Sequence, residues 1–474
     1  MKKSFLCAFI IIAFAASLFA QTNVFGSVHG HWTIAGSPYN VIGDINVPES
    51  DSLFIAPGVR VVFQGHYGLT INNNSKLRAI GTEEDSIIFT AQDTAISASG
   101  WNGISFLNSS DECALQYCRI EFSKSDHEGG AIRCQQAFLS ILNCRLQKNS
   151  AYGYSGGAIC CTSSDSIRIS ESVIEYNYAG FCGGGILINC YEDIVIRNCI
   201  IGHNDCRYNP SSYWVSTSGG GIDCGNNLTL VNCVITNGSL YSPGSNALGA
   251  GVSCAHHLTL INCNVSNNNA RGTYGAGVYS PDLIAMNCIF YNNYQGDILS
   301  DIYSEGYGFV SFCNVNPSAC SEEIELGFGN IYTDPHFKDT LANDFSLDSI
   351  SLCIDAGISM FIHAGDTFSA PTTDIRGVPR PQRGGFDMGA YEFPDSSYIP
   401  PDTIEVLYTL YPGWNLIGAP VGGIAATYFA TYSEIILPAF GYNVFSGSYY
   451  IADSLEYGFG YWLLALDTVE IATP

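Results

Sequence analysis

The sequence has few charged residues, and basic ones are especially scarce. Charged side chains make up 13% of the 474 residues, and 43 Asp and Glu outnumber 18 Lys and Arg, for a formal net charge of −25. At that charge the chain repels nucleic acid and anionic lipid surfaces over long range. We therefore exclude these two classes of partner, and a polyanionic ligand would need a local basic patch or a bridging cation.

Helical periodicity is absent as well. The chain holds 50 Gly, 29 Tyr and 26 Phe, and 47% of its residues are apolar. This is enough apolar material for a large core, but the composition is poor in the residues that long helices use. We therefore predict an all-β protein.

Beyond the N-terminus, no apolar run is long enough to span a membrane. Lys2 and Lys3 precede FLCAFIIIAFAASLFA, which is shorter than the roughly 20 residues of a spanning helix, and the chain turns polar at Gln21. Residues 1–20 are therefore predicted to be a signal peptide. We expect a protein that is secreted or held at the cell surface, with no transmembrane span after the signal is removed.

Cysteine is plentiful, and most of it recurs in a repeat of 25 to 34 residues. Of 19 Cys, Cys7 leaves with the predicted signal peptide. One set lies in contexts such as LNCRL and VNCVI, with Ser172 in the equivalent place of one repeat: Cys118, Cys144, Cys199, Cys233, Cys263 and Cys288. A second set follows the segments GGAI, GGGI and GAGV: Cys134, Cys161, Cys224 and Cys254. Repeats of this length predict a solenoid.

Each repeat contains three short strands, with the patterns GGxIxC, LxL and CxI. Apolar residues two apart, such as Leu228 and Leu230, face one side of a strand. The interval of three between Leu230 and Cys233 marks a sharp corner. Asn tolerates the left-handed conformation that such a corner requires, and it recurs there at Asn143, Asn198, Asn232, Asn262 and Asn287. Stacked coils of three parallel strands predict a right-handed parallel β-helix.

In such a stack the coils lie about 4.8 Å apart, so every inward position becomes a ladder of like residues. Cys suits a ladder because it is small and easily buried. Side chains stacked in parallel do not point at one another as disulfide geometry requires. We interpret most of these Cys as reduced packing residues; the alternative is that several are bridged.

The repeats resemble those of the pectate-lyase-like superfamily of right-handed β-helix proteins, over residues 40 to 330. The opening segments LFIAPGVRVVFQG and WNGISF are similar to the first coils of secreted bacterial members. DPHF, SLCIDAG, DIRGVPRP and DMGAYE, between residues 334 and 393, resemble a terminal module of bacterial surface β-helix proteins, including relatives of polymorphic outer-membrane proteins. The resemblance implies the fold and a bacterial surface location, but it implies no particular activity.

These motifs divide the chain into three parts after the signal. Residues 21–393 form the β-helix with an N-terminal cap and, from about residue 334, the terminal module. Residues 394–403 are rich in Pro and Ser and read as a linker. Residues 404–474 carry short alternating strands of a small β-sandwich-like accessory module. The chain ends at IATP without a recognisable sorting signal, which leaves open a fragment or a separate anchor.

Insertions are confined to one corner of the predicted coil, after the CxI strand. This interval is 14 or 15 residues in four repeats but 23 and 19 after Cys199 and Cys233. Repeat proteins commonly mount binding loops on one face. Aromatic residues accumulate in these loops, and the candidate ligand-binding residues are Tyr176, Tyr178, Tyr208, Tyr213, Trp214, Tyr241 and Tyr274.

Two interpretations of these aromatic residues remain open. Their rings present flat apolar faces with a polar rim, which suits stacking against sugars. Alternatively, they stack on one another between coils. Tyr152, Tyr154 and Phe181 share the same loops.

Candidates for catalysis are fewer. Glycoside hydrolysis needs two opposed carboxyl groups, and a polysaccharide lyase needs a base near a cation. Glu175 and His203 occupy nearly equivalent places in adjacent coils, and Asp205 and Arg207 open the longest loop. These four are the catalytic candidates, although no motif of the β-helix hydrolases or lyases is present. His127 and Glu128 of KSDHEGG are weaker candidates.

We predict no cofactor and no metal site. His256 and His257 are interpreted as solvated turn residues. Asp205 could help to hold Ca²⁺, but no regular Asp-rich loop supports a calcium site. The function that the sequence favours is non-catalytic binding of a polysaccharide or cell-surface glycan by a monomer. The alternative is a polysaccharide lyase or glycoside hydrolase.

Strand alternation predicts opposite effects for two neighbouring substitutions. Cys233 should face the core, so Cys233→Asp should bury an unpaired charge and destabilise the fold severely. Val234 should face solvent, so Val234→Thr should be mild. Equilibrium unfolding of both variants beside the parent protein tests the assignment, and similar losses of stability would contradict it.

Overall fold

The structure is a computed structural model, and its contacts divide the chain into two units, Met1–Phe393 and Pro394–Pro474. Up to residue 394, the first residue of the second unit, it describes residues 21–394 except 96, 111–112, 164–166, 208–216, 243–246 and 272–273. In the second unit it describes residues 406–418, 424–425, 435–443, 448–452, 454–455 and 460–473. The predicted signal peptide lies outside the described residues. Within them, no helix has the length and apolarity needed to cross a bilayer.

The first unit is a parallel β-solenoid, as predicted, with three main columns of strands. The Leu column has twelve strands: Gly30–Trp32, Ser52–Ile55, Lys76–Ile80, Ala114–Gln116, Leu139–Leu142, Ile167–Ser170, Ile194–Arg197, Leu228–Val231, His257–Ile261, Asp282–Met286, Tyr307–Ser311 and Ile324–Leu326. The Cys column comprises Arg60–Phe63, Ile87–Ala91, Cys118–Glu121, Arg145–Gln147, Val173–Glu175, Ile200–Gly202, Val234–Thr236, Asn264–Ser266 and Ile289–Tyr291. The Gly column comprises Leu69–Ile71, Ile104–Leu107, Ile132–Gln135, Ile159–Thr162, Ile186–Asn189, Ile222–Cys224, Val252–Cys254, Val278–Tyr279 and Ile302–Tyr303.

At the N-terminal end the Cys and Gly columns join into one sheet. The long strand Tyr39–Val47 pairs with Arg60–Phe63 through its first residues and with Leu69–Ile71 through its last. Thr22–Ser27 pairs with Tyr39–Val47 and covers that end of the solenoid. Thr22–Ser27 and the short 3₁₀ helix Ile34–Gly36 therefore belong to the N-terminal cap.

A fourth column, which the sequence pattern did not predict, lies between the Cys and Gly columns. We call it the corner column; it comprises Lys124–Ser125, Ser150–Ala151, Tyr178–Ala179, Asp205–Arg207, Ser239–Tyr241, Asn269–Arg271, Tyr294–Gln295 and Ile298–Leu299. Strands of two or three residues are too short to show an alternating pattern. Their inward side chains are mostly small and buried, as at Ala151, Ala179 and Ala270.

The glycines that precede the Gly column are required by close approach of adjacent coils. A Cβ atom on Gly130 would lie 2.0 Å from the carbonyl oxygen of Gly157, and one on Gly157 would lie 2.0 Å from that of Gly184. Real Cβ atoms do not approach a backbone oxygen so closely. These glycines let the coils keep their spacing at this corner.

The corner between the Leu and Cys columns has the predicted left-handed asparagines. Asn143, Asn198, Asn232, Asn262 and Asn287 have φ between 50° and 52°. This prediction from the interval of three residues is confirmed.

The cysteines of the Cys column also stabilise this corner. Cys233 Sγ lies 3.4 Å from the carbonyl oxygen of Val231, two residues earlier, and Cys199 Sγ lies 3.1 Å from that of Arg197. Ser172 makes the same contact with Ser170, at 2.7 Å. Ser can therefore replace Cys here because both donate a hydrogen bond to the corner. All 18 Cys that the structure describes are free thiols, and 16 of them are buried.

An internal asparagine ladder, which the sequence analysis missed, follows the Cys column. Asn177 Nδ2 donates to Asn204 Oδ1 at 3.0 Å and to the Leu146 carbonyl at 3.0 Å, and its own Oδ1 accepts from Asn149. The ladder is interrupted at Gly238 and continues through Asn268 and Asn293. All five asparagines are buried: Asn149, Asn177, Asn204, Asn268 and Asn293. Stacking thus satisfies polar groups inside the solenoid.

The terminal module packs on the outer face of the solenoid. Its short elements are the pairs Phe337–Asp339 with Asp344–Leu347 and Met360–His363 with Asp366–Ser369, and the 3₁₀ helix Thr340–Ala342. Another 3₁₀ helix, Pro317–Ala319, precedes it. Corner asparagines hold the module: Asn232, Asn262 and Asn287 donate to the carbonyls of Thr373, Asp387 and Ile358.

This packing shows that the prediction for Val234 is wrong. Val234 does point out of the solenoid, but it is fully buried against Phe345, Ala390 and Tyr391 of the terminal module. Val234→Thr would place a hydroxyl in this apolar contact, which typically costs about 1–3 kcal/mol. Strand alternation gives the direction of a side chain and does not reveal what covers it. Cys233 faces the core, as predicted.

The charged residues of the module's motifs form a buried network. Arg380 Nη1 donates to Glu392 Oε2 at 2.7 Å, and both side chains are fully buried. Arg376 donates to Asp374 Oδ2 at 2.8 Å. Arg380 Nη2 also reaches the Gly389 carbonyl at 2.9 Å. The residues of DIRGVPRP and DMGAYE therefore hold the module together.

The second unit consists of antiparallel sheets. A four-stranded sheet contains Gly413–Gly418, Gly460–Ala465, Ile435–Asn443 and Ser448–Ala452. Two-stranded pairs join Val406–Leu410 with Val469–Thr473 and Ile424–Ala425 with Ser454–Leu455.

The asparagine ladder leads to a stability prediction. Asn177→Ala should lower the free energy of unfolding by about 3 kcal/mol, because two buried N–H donors of Asn149 lose their acceptor and the Leu146 carbonyl oxygen loses a donor. Asn269→Ala is the matched control, since Asn269 is exposed on the corner column. Urea unfolding followed by circular dichroism measures both variants. Equal stabilities for the two would contradict a structural role for the ladder.

The ladder ends on a buried carboxyl group whose titration should affect stability. Asn293 Nδ2 donates to Asp301 Oδ1 at 2.8 Å. Burial raises the pKa of Asp301 to about 6, although hydrogen bonds from Asn293 and Asn316 oppose the shift. Since the unfolded pKa is about 3.9, the folded state binds more protons between these values. The contribution of protonated Asp301 to the stability of the fold is therefore complete below about pH 4 and is lost as the pH rises through 6.

Asp301→Asn tests this linkage because it keeps the acceptor and removes the charge. We expect a higher melting temperature than the parent at pH 7.5, little difference near pH 4 and a flatter pH dependence. The exposed Asp297→Asn is the control and should follow the parent. A parent-like pH dependence for Asp301→Asn would contradict the prediction.

Candidate functional site

The loops of the solenoid leave from the corner column, as the insertion pattern predicted. Each loop connects this column to the next strand of the Gly column. Tyr208, Tyr213 and Trp214 of the longest loop lie outside the described residues. The site is therefore built from the corner column and the shorter loops beside it.

Register on the corner column sets two outward rows of side chains. Lys124, Ser150, Tyr178 and Asp205 are successive partners in one row. Two residues further along each coil is a second row, in which Arg207, Tyr241 and Arg271 are successive partners. At the N-terminal end Asp126 and Tyr152 follow Ser125 and Ala151, which are partners. Adjacent members of a row are about 4.8 Å apart along the solenoid.

An open cleft of about 860 Å³ lies over the N-terminal part of these rows. Its walls come from the corner column and from loops of two preceding coils: His66, Ser99, Lys124, Ser125, Asp126, Ser150, Tyr152 and Tyr178. Two other cavities lie elsewhere on the solenoid: one is lined by Arg60, Gln64 and Glu121, and the other by Glu171, Arg376 and Tyr391.

The aromatic side of the cleft is a tyrosine pair. The rings of Tyr152 and Tyr178 are stacked with centroids 5.8 Å apart and planes 22° apart. Tyr152 is 70% exposed, so this ring is packed against Tyr178 and still largely open to solvent. The two tyrosines thus stack on each other, as one interpretation of the loop aromatics expects. The exposed ring of Tyr152 also remains accessible to a ligand, as the other expects.

The other aromatic candidates lie further along the solenoid. Tyr176 stacks on His203 at 4.6 Å, and Tyr274 contacts Tyr303 at 4.5 Å. Tyr241 is exposed between Arg207 and Arg271 in its row. Among the candidate ligand-binding residues that the structure describes, Tyr178 is thus the only one that lines the cleft. Tyr152, which was not a candidate, lines it as well.

The polar side of the cleft was not found from the sequence. His66 Nε2 lies 2.8 Å from Asp126 Oδ2, and its Nδ1 lies 3.1 Å from the Ser99 carbonyl oxygen. Lys124 Nζ donates to the Ala98 carbonyl at 2.6 Å. These contacts join three coils that are far apart in sequence. KSDHEGG contains Lys124 and Asp126, but no pattern connects either one to His66.

The two weaker candidates of KSDHEGG have local partners. His127 Nδ1 lies 2.8 Å from Ser125 Oγ and 2.9 Å from the Glu128 carbonyl oxygen, within its own turn. Glu128 Oε2 lies 3.9 Å from Cys160 Sγ. Neither residue lines the cleft.

The four catalytic candidates are distributed over three separate contacts. Glu175 Oε1 accepts from Arg145 at 2.6 Å on the outer face of the Cys column. His203 Nε2 lies 2.9 Å from Asn343 Oδ1 of the terminal module. Asp205 and Arg207 pair with each other at 2.6 Å on the corner column. The register partner of Glu175 is Gly202, so it is offset by one residue from His203.

Two carboxyl groups near the loops have raised pKa values. Burial raises the pKa of Asp205, and the neighbouring Arg207 opposes the shift. Burial also raises the pKa of Asp223 to about 6, against hydrogen bonds from Ser218, Ser253 and Cys182. Asp223 was not among the sequence candidates. Its register partners in the Gly column are Leu187 and Ser253, so neither of these two positions supplies the second carboxyl group that glycoside hydrolysis needs.

No group of three or more His, Cys, Asp or Glu within the described residues could hold a metal ion. His257, considered as half of a histidine pair, has its Nδ1 2.8 Å from Asp282 and its Nε2 3.0 Å from Thr259. His256 is exposed in the preceding turn. Asp205, the residue considered for Ca²⁺, is engaged by Arg207.

Comparison with family models agrees with the solenoid. Residues 67–242 match the family model described as "Right handed beta helix region". Among solved structures, the chain is similar to the crystal structure of pectate lyase Pel9A, with 11% identity, a TM-score of 0.36, and coverage of 73% of this chain and 88% of that one. No curated protein matches the sequence. The matched residues include every lining residue of the cleft except His66.

Proposed function

We propose that this β-helix binds a glycan in the cleft beside the Tyr152–Tyr178 pair, without cleaving it. The observation that carries the proposal is the exposed ring of Tyr152, held by stacking on Tyr178, at the wall of an open cleft that polar side chains also line. A ring that is already packed against another loses little conformational freedom when a ligand binds.

The cleft offers both kinds of contact that a sugar needs. The apolar face of a sugar ring can stack on an aromatic face. Hydroxyl groups can then donate to the carboxylate of Asp126 and accept from Lys124 and Ser150, which line the same cleft. Asp126 is mostly exposed and keeps acceptor capacity beyond its contact with His66.

The contacts of the catalytic candidates support binding without cleavage. A general base must lie within reach of the substrate, whereas Glu175 and Asp205 lie outside the cleft, each paired with an arginine. The ring of His203 stacks on Tyr176, and its Nε2 lies 2.9 Å from Asn343 Oδ1. None of these candidates lines the cleft.

Tyr152→Ala tests the proposal. It should weaken binding to a retained polysaccharide about tenfold, which corresponds to about 1.4 kcal/mol. Affinity electrophoresis of the whole protein in gels that contain neutral or acidic polysaccharides would find a ligand and measure the retardation. Tyr191→Ala is the matched control, because Tyr191 is 75% exposed in a turn beside the Leu column and should leave binding unchanged.

Two results would contradict the proposal. One is equal retardation of the parent, Tyr152→Ala and Tyr191→Ala by every polysaccharide that retards the parent. The other is release of reducing ends or unsaturated products that disappears in Asp205→Ala, which would favour the lyase or hydrolase alternative.

A further inference from the structure

We propose that Cys161 and Cys190 form a disulfide bond that links two adjacent coils of the solenoid. Their Sγ atoms lie 3.2 Å apart, and both side chains are buried. This is closer than the 3.5–4.0 Å typical of non-bonded carbon contacts. The inference is independent of glycan binding.

This pair differs from the stacked cysteines in register. Cys161 is the partner of Ile188, so Cys190 is two residues further along its coil. Cys190 begins the turn that joins Ile186–Asn189 to Ile194–Arg197. Its side chain therefore approaches Cys161 diagonally, whereas Cys134, which also contacts Cys161, is a register partner whose side chain runs parallel to it.

Cys224 and Cys254 show the contrasting geometry in the same column. They are register partners, and each sulfur contacts a backbone carbonyl oxygen, that of Asn226, at 3.4 Å and 3.1 Å. Both sulfurs thus have a backbone oxygen as a contact in addition to the side-chain hydrogen bond between them. Cys161 instead lies between two sulfurs, those of its register partner Cys134 and of Cys190.

Only a small movement is needed to close the bond. A disulfide has an S–S length of about 2.05 Å, so the two sulfurs must approach by roughly 1 Å, which is within the range of small side-chain rotations. The bond would enclose the coil that carries Tyr178, since that residue lies between the two cysteines in sequence.

The oxidant we propose is a small-molecule disulfide such as oxidised glutathione. One cysteine thiolate attacks the glutathione disulfide, forms a mixed disulfide and releases one glutathione thiol. The second cysteine then attacks the protein sulfur of this mixed disulfide and releases the other glutathione thiol. The two cysteines lose their protons and are oxidised together, while one glutathione disulfide is reduced to two thiols.

Burial determines when this exchange can take place. Hydrogen bonds with Cys134 and Cys190, followed by burial, raise the pKa of Cys161 far above its ordinary value. The thiolate is the attacking species, so exchange in the folded protein should be slow. We expect the bond to form while the coils assemble.

The experiment refolds the reduced full chain in a buffer of reduced and oxidised glutathione and maps the disulfides by mass spectrometry without reduction. We expect one dominant cross-link, between Cys161 and Cys190. The oxidised protein should melt roughly 5 °C above the reduced protein. Because Cys160 shares a peptide with Cys161, the map is repeated with Cys160→Ser, which should keep the cross-link.

Two variants separate the cross-link from general effects of oxidation. Cys190→Ser should lose the link and the difference in melting temperature between oxidised and reduced protein. Cys224→Ser, which alters the register pair, should retain both. Each Ser variant is compared with its own reduced form, so any loss of packing cancels.

The proposal would be overturned if refolded protein kept both cysteines as free thiols or as glutathione adducts. A dominant link between Cys134 and Cys161, or between Cys224 and Cys254, would also overturn it, because register partners would then be the reactive pairs. The same holds if Cys190→Ser kept the oxidation-dependent melting difference.

Discussion

In-register stacking of parallel coils is the constraint on which the rest of this structure depends. Every residue meets its equivalent about 4.8 Å away in the next coil, so each position must tolerate a copy of itself. Apolar side chains meet this condition by packing, as Ile174 and Ile201 do. Glycine meets it where carbonyls come too close for a Cβ atom, as at Gly157. Asparagine meets it by donating to one neighbour and accepting from the other, as at Asn177.

Segments on the outer surface are free of this constraint, so their length and structure differ from coil to coil. On one side the corner asparagines donate to the terminal module, which buries Val234 and part of the Cys column. On another, the corner column carries loops of unequal length. The Tyr152–Tyr178 cleft lies where residues of several coils, such as His66 and Asp126, come together outside the ladders. A rigid stack with variable loops is a common basis for binding sites.

The same stacking explains the two chemistries of cysteine in this chain. In the Cys column each thiol donates to a carbonyl of its own corner, and Ser172 can do the same. Register holds these thiols parallel, which opposes cross-linking. Cys190 lies two residues beyond the register partner of Cys161, and the two sulfur atoms are in contact. Position relative to the register, more than burial, therefore distinguishes a packing thiol from a candidate for oxidation.

The sequence by itself determined the solenoid, its three main columns and the left-handed corner asparagines. These features recur from coil to coil, and a short pattern can be recognised when it is repeated. It also located the loop corner, from the intervals after Cys199 and Cys233. Only the tertiary structure decided the corner column, the burial of Val234 and the partners of Glu175, His203 and Asp205. These features depend on contacts that do not recur from coil to coil. The same holds for the contact of His66 with Asp126. Such contacts produce no periodic pattern in the sequence.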